Sequence, residues 1–195
     1  MTWGDDFDWT HVKRHSDGRV LLLYRHQRIF DEGLVKRGSR ALDVGGWGVL
    51  ATAIEEAGVE CTIFDADTDD QAYSARMRAH RHVIGDVTTY DDPSWAGRFD
   101  LITCFETLEH VGNAEAAVAN MASWLTPDGV FVGTVPKPGV IHYEGEPGVT
   151  IVYPDQLRNY LVRGGLEVES IELTGSRLST DPPGGWYFRA RKIRA

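Results

Sequence analysis

The sequence predicts an α/β fold: a doubly wound, mostly parallel sheet closed by an antiparallel hairpin at its C-terminal edge. Three observations carry this expectation. Runs of strand length alternate with helical patterns along most of the 195 residues. Several runs are apolar through their middles, as in "FDLITCFE" (99–106), which marks strands covered on both faces. The last two runs, "LEVESIEL" (166–173) and "GWYFRARKIR" (185–194), instead alternate apolar and polar residues. They are joined by "TGSRLSTDPPGG" with no helix between them, the pattern of a hairpin.

The elements follow in order. "RVLLLYRHQRIFDEGLV" precedes the first sheet strand and reads as a helical cap, so residues 1–35 are taken as cap and 36–195 as core of one domain. "RALDVG" (40–45) is a strand, and "VLATAIEEAG" (49–58) is a helix ended by Gly58. "CTIFD" (61–65) is the second strand, followed by a polar helix near 69–79, and "RHVIGDV" (81–87) is the third. After the fourth strand a helix runs from Ala114 to Leu125. "TPDG" (126–129) is a turn by its chemistry, and "VFVGTVP" (130–136) is the fifth strand. Pro154 and Asp155 open a helix that closes at Gly164-Gly165. The expected count is five β-α repeats, then the hairpin.

Bulk properties narrow the function. A net charge of −9 argues against gripping a phosphate backbone, because that binding runs on Lys and Arg, so no nucleic-acid partner is expected. No run approaches the ~20 apolar residues of a membrane span, and the first residues lack the basic-then-apolar order of a signal peptide. The expected location is cytoplasmic. Cys61 and Cys104 stand alone in apolar runs and read as reduced core residues.

In a doubly wound sheet, ligands bind beyond the carboxyl ends of the strands near the switch in strand order. After the first strand stand Asp43, Gly45, Gly46 and Gly48, where absent Cβ atoms admit a ligand to the backbone. After the second come Asp65, Ala66 and Asp67; a carboxylate there can accept from both hydroxyls of a ribose. Asp86 and Val87 follow the third strand, and Phe105, Glu106, Glu109 and His110 follow the fourth. By position this is a nucleoside pocket. Asp65 and Asp86 also fit turn or cap roles, and His110 also fits a packing role.

These motifs, in this order, resemble the class I (Rossmann-like) S-adenosylmethionine-dependent methyltransferases of small-molecule type. "ALDVGGWG" resembles the first motif, "CTIFD" the acidic second strand and "IGDV" the third. "FDLITCFETLEHV" resembles the fourth-strand signature, "LTPDGVFVGTVP" the turn and fifth strand, and "PDQLRNYLVRGGLEVESIEL" the closing helix and strand. The resemblance covers residues 38–173. It implies S-adenosylmethionine as cofactor, with Asp43, Gly45 and Gly46 facing its methionine part and Asp65, with Ala66 beside it, holding the ribose. Asp86 and Val87 would flank the adenine, and Phe105 or Glu106 would line the floor. The glycine turn "DVGGWG" departs from the usual run, being one residue shorter or carrying Trp47 in place of a glycine. Trp47 is expected either in the sheet–helix seam or stacked on the cofactor.

Methyl transfer by in-line displacement needs a base only where the nucleophile carries a proton. His110 is the first candidate and His142, in "KPGVIHYEGEPG", the second. The spacing of Glu106, Glu109, His110 and His142 does not by itself make a metal site, and none is assigned. That loop and the N-terminal cap, with Tyr24, Arg25, His26, Tyr143 and Tyr153, are the segments that can shape a pocket for a small acceptor, with oxygen the expected acceptor atom. Two other readings stand beside this one. "GWGVLA" fits G-x-G-x-x-A of a nicotinamide dehydrogenase, although no Tyr-x-x-x-Lys pair follows. The altered glycine turn also suits a cofactor-binding partner protein without catalysis.

Overall fold

The computed structural model describes residues 22, 24–46, 48–66, 79–137, 150, 152–175 and 183–193. Helix α1 spans Tyr24–Asp31 and leads to β1, Arg40–Val44. α2 covers Val49–Glu56, β2 Glu60–Asp65 and β3 Arg81–Ile84. β4 is Phe99–Phe105, α3 Ala114–Trp124 and β5 Leu125–Pro136. α4 (Pro154–Arg163), β6 (Leu166–Gly175) and β7 (Pro183–Lys192) complete the chain. The seven strands lie in the order β3-β2-β1-β4-β5-β7-β6. β7 alone pairs antiparallel, with both β5 and β6, as the alternating last runs require.

Two expectations are corrected. "TPDG" does not separate helix from strand: β5 begins at Leu125, opposite Phe99, and its next partnered residue is Val130, opposite Leu101. The four turn residues are therefore a bulge within one strand. Gly129 sits in it where a Cβ would fall 3.0 Å from the carbonyls of Phe99 and Thr126. Between β3 and β4, the only helical element among the described residues is a 3₁₀ turn, Pro93–Trp95, capped by Asp92 accepting from the Ser94 N–H. The pattern is thus not five full β-α repeats. Trp95 is buried there against Phe64, Tyr90, Phe99 and Trp124, filling the layer where a crossover helix would pack. The polar helix near 69–79 falls almost wholly outside the described residues.

Alternation along the strands sorts the two faces. Leu42 and Val44 of β1 and Ile102 and Cys104 of β4 pack with α3 and α4 residues such as Met121 and Leu157. Ala41 of β1, Leu101 and Phe105 of β4 and Val130 and Val132 of β5 pack with Ile29 of α1 and Ile54 of α2. By the same alternation Asp43 and Thr103 belong to the α1/α2 face. Both cysteines are free and buried, as expected. No helix among the described residues is long and apolar enough to cross a membrane.

α1 is held on the sheet by charge as well as by Ile29. The Arg28 guanidinium lies 3.9 Å from the centre of the buried Tyr187 ring on β7. Glu32 accepts from the Tyr187 hydroxyl at 3.2 Å and from Arg189 at 3.3 Å, and also pairs with Arg28 one turn back.

Candidate active site

The strand order reverses between β1 and β4, so the carboxyl ends of these two strands form the switch point. Asp43 stands there, 3% exposed. One oxygen accepts from the Thr103 hydroxyl at 2.7 Å; the other, Oδ2, is buried with no hydrogen-bond partner among the described residues. Burial pushes its carboxyl up to about 7, against the Thr103 hydrogen bond and with the charge of Asp65 acting in the same direction as burial. A buried carboxylate left half-satisfied marks a place built for a cation or a donor.

The backbone around it is shaped to the same end. Gly45 has φ 71°, and a Cβ there would fall 2.1 Å from Thr107 Oγ1. A Cβ on Gly46 would fall 2.2 Å from Asp43 Oδ2, onto the unpartnered oxygen itself. Gly48, at φ 81°, caps α2 with no side-chain hydrogen bond. Thr107 ties the two strand ends together by donating toward the carbonyls of Val44 (3.3 Å) and Phe105 (3.1 Å).

On the β4 side, Glu106 has φ 51°, a left-handed backbone in a residue that has a Cβ, and its N–H donates to Thr134 O at 3.0 Å. The chain then enters a 3₁₀ turn, Leu108–His110. Glu109 is fully buried, and neither carboxylate oxygen has a hydrogen-bond partner among the described residues. Burial raises its carboxyl well above the usual range; the Glu106 charge adds to this and the Arg25 charge opposes it. His110 is half exposed, with Nε2 3.9 Å from Glu109 Oε1. On the β2 side, Asp65 ends its strand close enough for its charge to act on Asp43, and Ala66 beyond it is exposed.

The structure therefore brings Asp43, Gly45, Gly46, Asp65, Phe105, Glu106 and His110 to one end of the sheet. Asp86 and Val87 are less committed to it. Asp86 Oδ1 accepts from the N–H and hydroxyl of Thr88, which hold its carboxyl below the usual range and fix its own turn. Val87 is buried in the α3 face of the core, its carbonyl accepting from Asn120 at 3.0 Å. Trp47, His142 and Tyr143 lie outside the described residues. Tyr153 is half exposed at the start of α4. Among the described residues no cluster of three His, Cys, Asp or Glu side chains is arranged to hold a metal ion. Sequence reasoning missed Thr103 and Thr107, because two threonines in and after a strand signal nothing until the strand order sets them against Asp43 and Gly45.

The family described as "Methyltransferase domain" matches residues 15–172. The chain belongs to the class I S-adenosylmethionine-dependent methyltransferases. This methyltransferase is 32% identical over 168 residues to the ubiquinone biosynthesis O-methyltransferase of Marinobacter nauticus, covering 74% of this chain and 70% of that protein. With the enzyme of the same name from Psychrobacter arcticus it shares 34% identity over 115 residues, 55% of this chain but only 44% of the relative. Its fold matches the 1,6-didemethyltoxoflavin-N1-methyltransferase of Burkholderia thailandensis with a TM-score of 0.67 at 18% identity, over 87% of this chain and 77% of that one. The last likeness is one of fold alone. With the family shown, the dehydrogenase reading of "GWGVLA" falls away.

Proposed function

We propose that this methyltransferase transfers a methyl group to an oxygen of a small-molecule acceptor, with His110 as the first candidate base and His142 the second. The observation that carries the reading is the pairing of an orphaned, buried Asp43 oxygen with the bare backbone of Gly45 and Gly46 beside it. That cradle fits the methionine end of S-adenosylmethionine, whose ammonium and sulfonium are cations and whose approach a Cβ would block. Asp65 suits the ribose hydroxyls, and Phe105 and Glu106 suit the floor. Asp86, Val87 and Ala66 suit the adenine and ribose edges from the ends of β3 and β2, and Trp47 is kept on the cofactor side by its place in the sequence alone. Oxygen as the acceptor atom is supported by the names of the O-methyltransferase relatives.

S-adenosylmethionine, held by the Asp43–Gly45–Gly46 cradle, would supply an electrophilic methyl for the acceptor oxygen, its sulfur keeping the electron pair of the broken C–S bond. The chain's part is to hold the acceptor oxygen in line, which contributes up to ~7–11 kcal/mol where geometry is tight. Its second part is to accept the hydroxyl proton, a task within the chemistry of an imidazole. Calorimetric titration with S-adenosylhomocysteine, and separately with NAD⁺, tests the cofactor: micromolar binding of the former alone is expected. Radiolabelled methyl transfer to a panel of phenols, sugars and quinols tests the acceptor. His110→Ala is expected to lower turnover at least tenfold with S-adenosylhomocysteine affinity within twofold of wild type. Unchanged turnover in both His110→Ala and His142→Ala removes the base assignments.

A further inference from the structure

The carboxyl end of the sheet holds buried polar atoms that the cofactor cradle leaves unused. Imidazole Nδ1 of His26, on α1, is buried without a hydrogen-bond partner among the described residues. So is the hydroxyl of Thr134, which lies opposite Phe105 across the β4–β5 ladder, and so are both oxygens of Glu109. Buried polar groups are nearly always paired in a finished structure, so several orphans in one place describe a surface waiting for a ligand. Their position is consistent. The His26 ring meets the Phe105 ring edge-on with centroids 4.7 Å apart, and Phe105 is followed directly by Glu106 of the cofactor end. The charge of Arg25, next to His26, acts on both His26 and Glu109. The first turn of α1 therefore sits over the end of β4.

We infer that His26 is an acceptor-recognising residue, its imidazole taking a hydrogen bond from an aromatic hydroxyl of the acceptor while the acceptor ring packs by the Phe105–His26 pair. The inference rests on the O-methyltransferase reading and says which element of the chain selects the acceptor. Burial, reinforced by the Arg25 charge, holds the His26 imidazole well below its usual range. It is thus neutral at physiological pH and keeps a lone pair to accept with. Such a group orients a hydroxyl without retaining its proton, so this role is separate from that of the base. The unpartnered nitrogen of His26 and the hydroxyl of Thr134 suit a phenol or catechol, whose hydroxyls both donate and accept. α1 is braced for the role by Arg28, Glu32, Tyr187 and Arg189, which fix it to β7 on the same face of the sheet as Phe105.

The test is calorimetric titration of catechol, and of its dimethyl ether as a probe without donors, onto protein saturated with S-adenosylhomocysteine. His26→Phe keeps the ring contact with Phe105 and removes the acceptor nitrogen; His26→Gln restores a polar acceptor. Catechol is expected to bind wild type, to bind His26→Phe about three- to tenfold more weakly, and to recover in part with His26→Gln. The dimethyl ether should bind wild type and His26→Phe alike, and S-adenosylhomocysteine affinity should stay within twofold throughout. Equal catechol affinity in wild type and His26→Phe overturns the inference, as does wild type that binds S-adenosylhomocysteine but not millimolar catechol. Wild type that fails to bind S-adenosylhomocysteine instead removes the proposed function beneath it. Should His26→Phe fold poorly by thermal unfolding, His26→Leu, which also lacks the acceptor nitrogen, is read against wild type on the same two probes: a loss confined to the donor-bearing probe supports the role, and no loss or a loss common to both overturns it.

Discussion

Asp43→Asn should make the ligand-free protein more stable and the site worse. The Asp43 carboxyl stands at about 7 against an ordinary 3.8, because burial disfavours its charge and Asp65 adds to the effect. That gap of roughly 3 units corresponds to about 4 kcal/mol at 1.36 kcal/mol per unit. The sign follows from proton counting. Between pH 3.8 and 7 the folded state keeps the proton and the unfolded state releases it, so stability falls as pH rises through this window and levels off above 7. Asparagine carries no charge and retains an oxygen to accept from Thr103. The variant should therefore gain about 2 kcal/mol over wild type at pH 5.5 and about 4 kcal/mol at pH 8, the latter worth on the order of 10 °C in Tm for a chain of this size. The assay is thermal unfolding of both proteins without ligand at the two pH values, followed by calorimetry with S-adenosylhomocysteine. Affinity should fall at least tenfold in the variant, and in wild type it should weaken below pH 7 because binding a cation there requires Asp43 to lose its proton. A variant less stable than wild type at pH 8, or a stability difference that is the same at both pH values, refutes the reasoning.

Two further substitutions probe the frame around this carboxyl. Gly46→Ala places a methyl against Asp43 Oδ2, at 2.2 Å before relaxation, and should reduce S-adenosylhomocysteine affinity by tenfold or more in the same titration. Glu32→Ala removes the acceptor of the fully buried Tyr187 hydroxyl and of Arg189, and should cost about 1–3 kcal/mol in urea unfolding. Its S-adenosylhomocysteine affinity should change little, because α1 is tied through Glu32 to β7 and not to the glycine turn.

The parts of the fold legible in the sequence were those where one local pattern had one solution. The apolar middle of "FDLITCFE" leaves a buried parallel strand as its only economical use, and alternation in "LEVESIEL" and "GWYFRARKIR" matches the hairpin observed. "TPDG" misled because its turn chemistry is real but local: the ladder resumes at Val130 opposite Leu101, and pairing absorbs the turn as a bulge. The missing crossover helix after β3 was illegible for a similar reason. Trp95 fills its layer through contacts with Phe64, Phe99 and Trp124, far apart in sequence. In the candidate site, the position of Asp43 and the glycines at the end of β1 was readable, because glycines that break an apolar strand locate themselves. Thr103 and Thr107 were not, since each acquires meaning only from what the fold sets against it, whereas His26 was named from the sequence only as one of several cap residues able to shape a pocket.

The same distinction separates the two halves of the site. The proposed cofactor half is made from consecutive residues of one turn and one buried charge, so its chemistry would be carried by the backbone and leave a signature in the sequence. The acceptor half inferred above joins α1 to a strand end some eighty residues later, and α1 is held by the Arg28–Glu32–Tyr187–Arg189 contacts. None of those contacts depends on Asp43 or on the glycine turn. On the proposed assignment, α1 should therefore be able to change His26 and Arg25 without disturbing cofactor binding, while its anchor on β7 stays fixed. A double substitution puts this independence to the test. Combining His26→Phe with Asp43→Asn should give changes in stability and in S-adenosylhomocysteine affinity equal, within about 0.5 kcal/mol, to the sum of the single changes. A larger coupling would mean that the helix and the turn act as one unit, and that acceptor selection and cofactor binding are not separable in this enzyme.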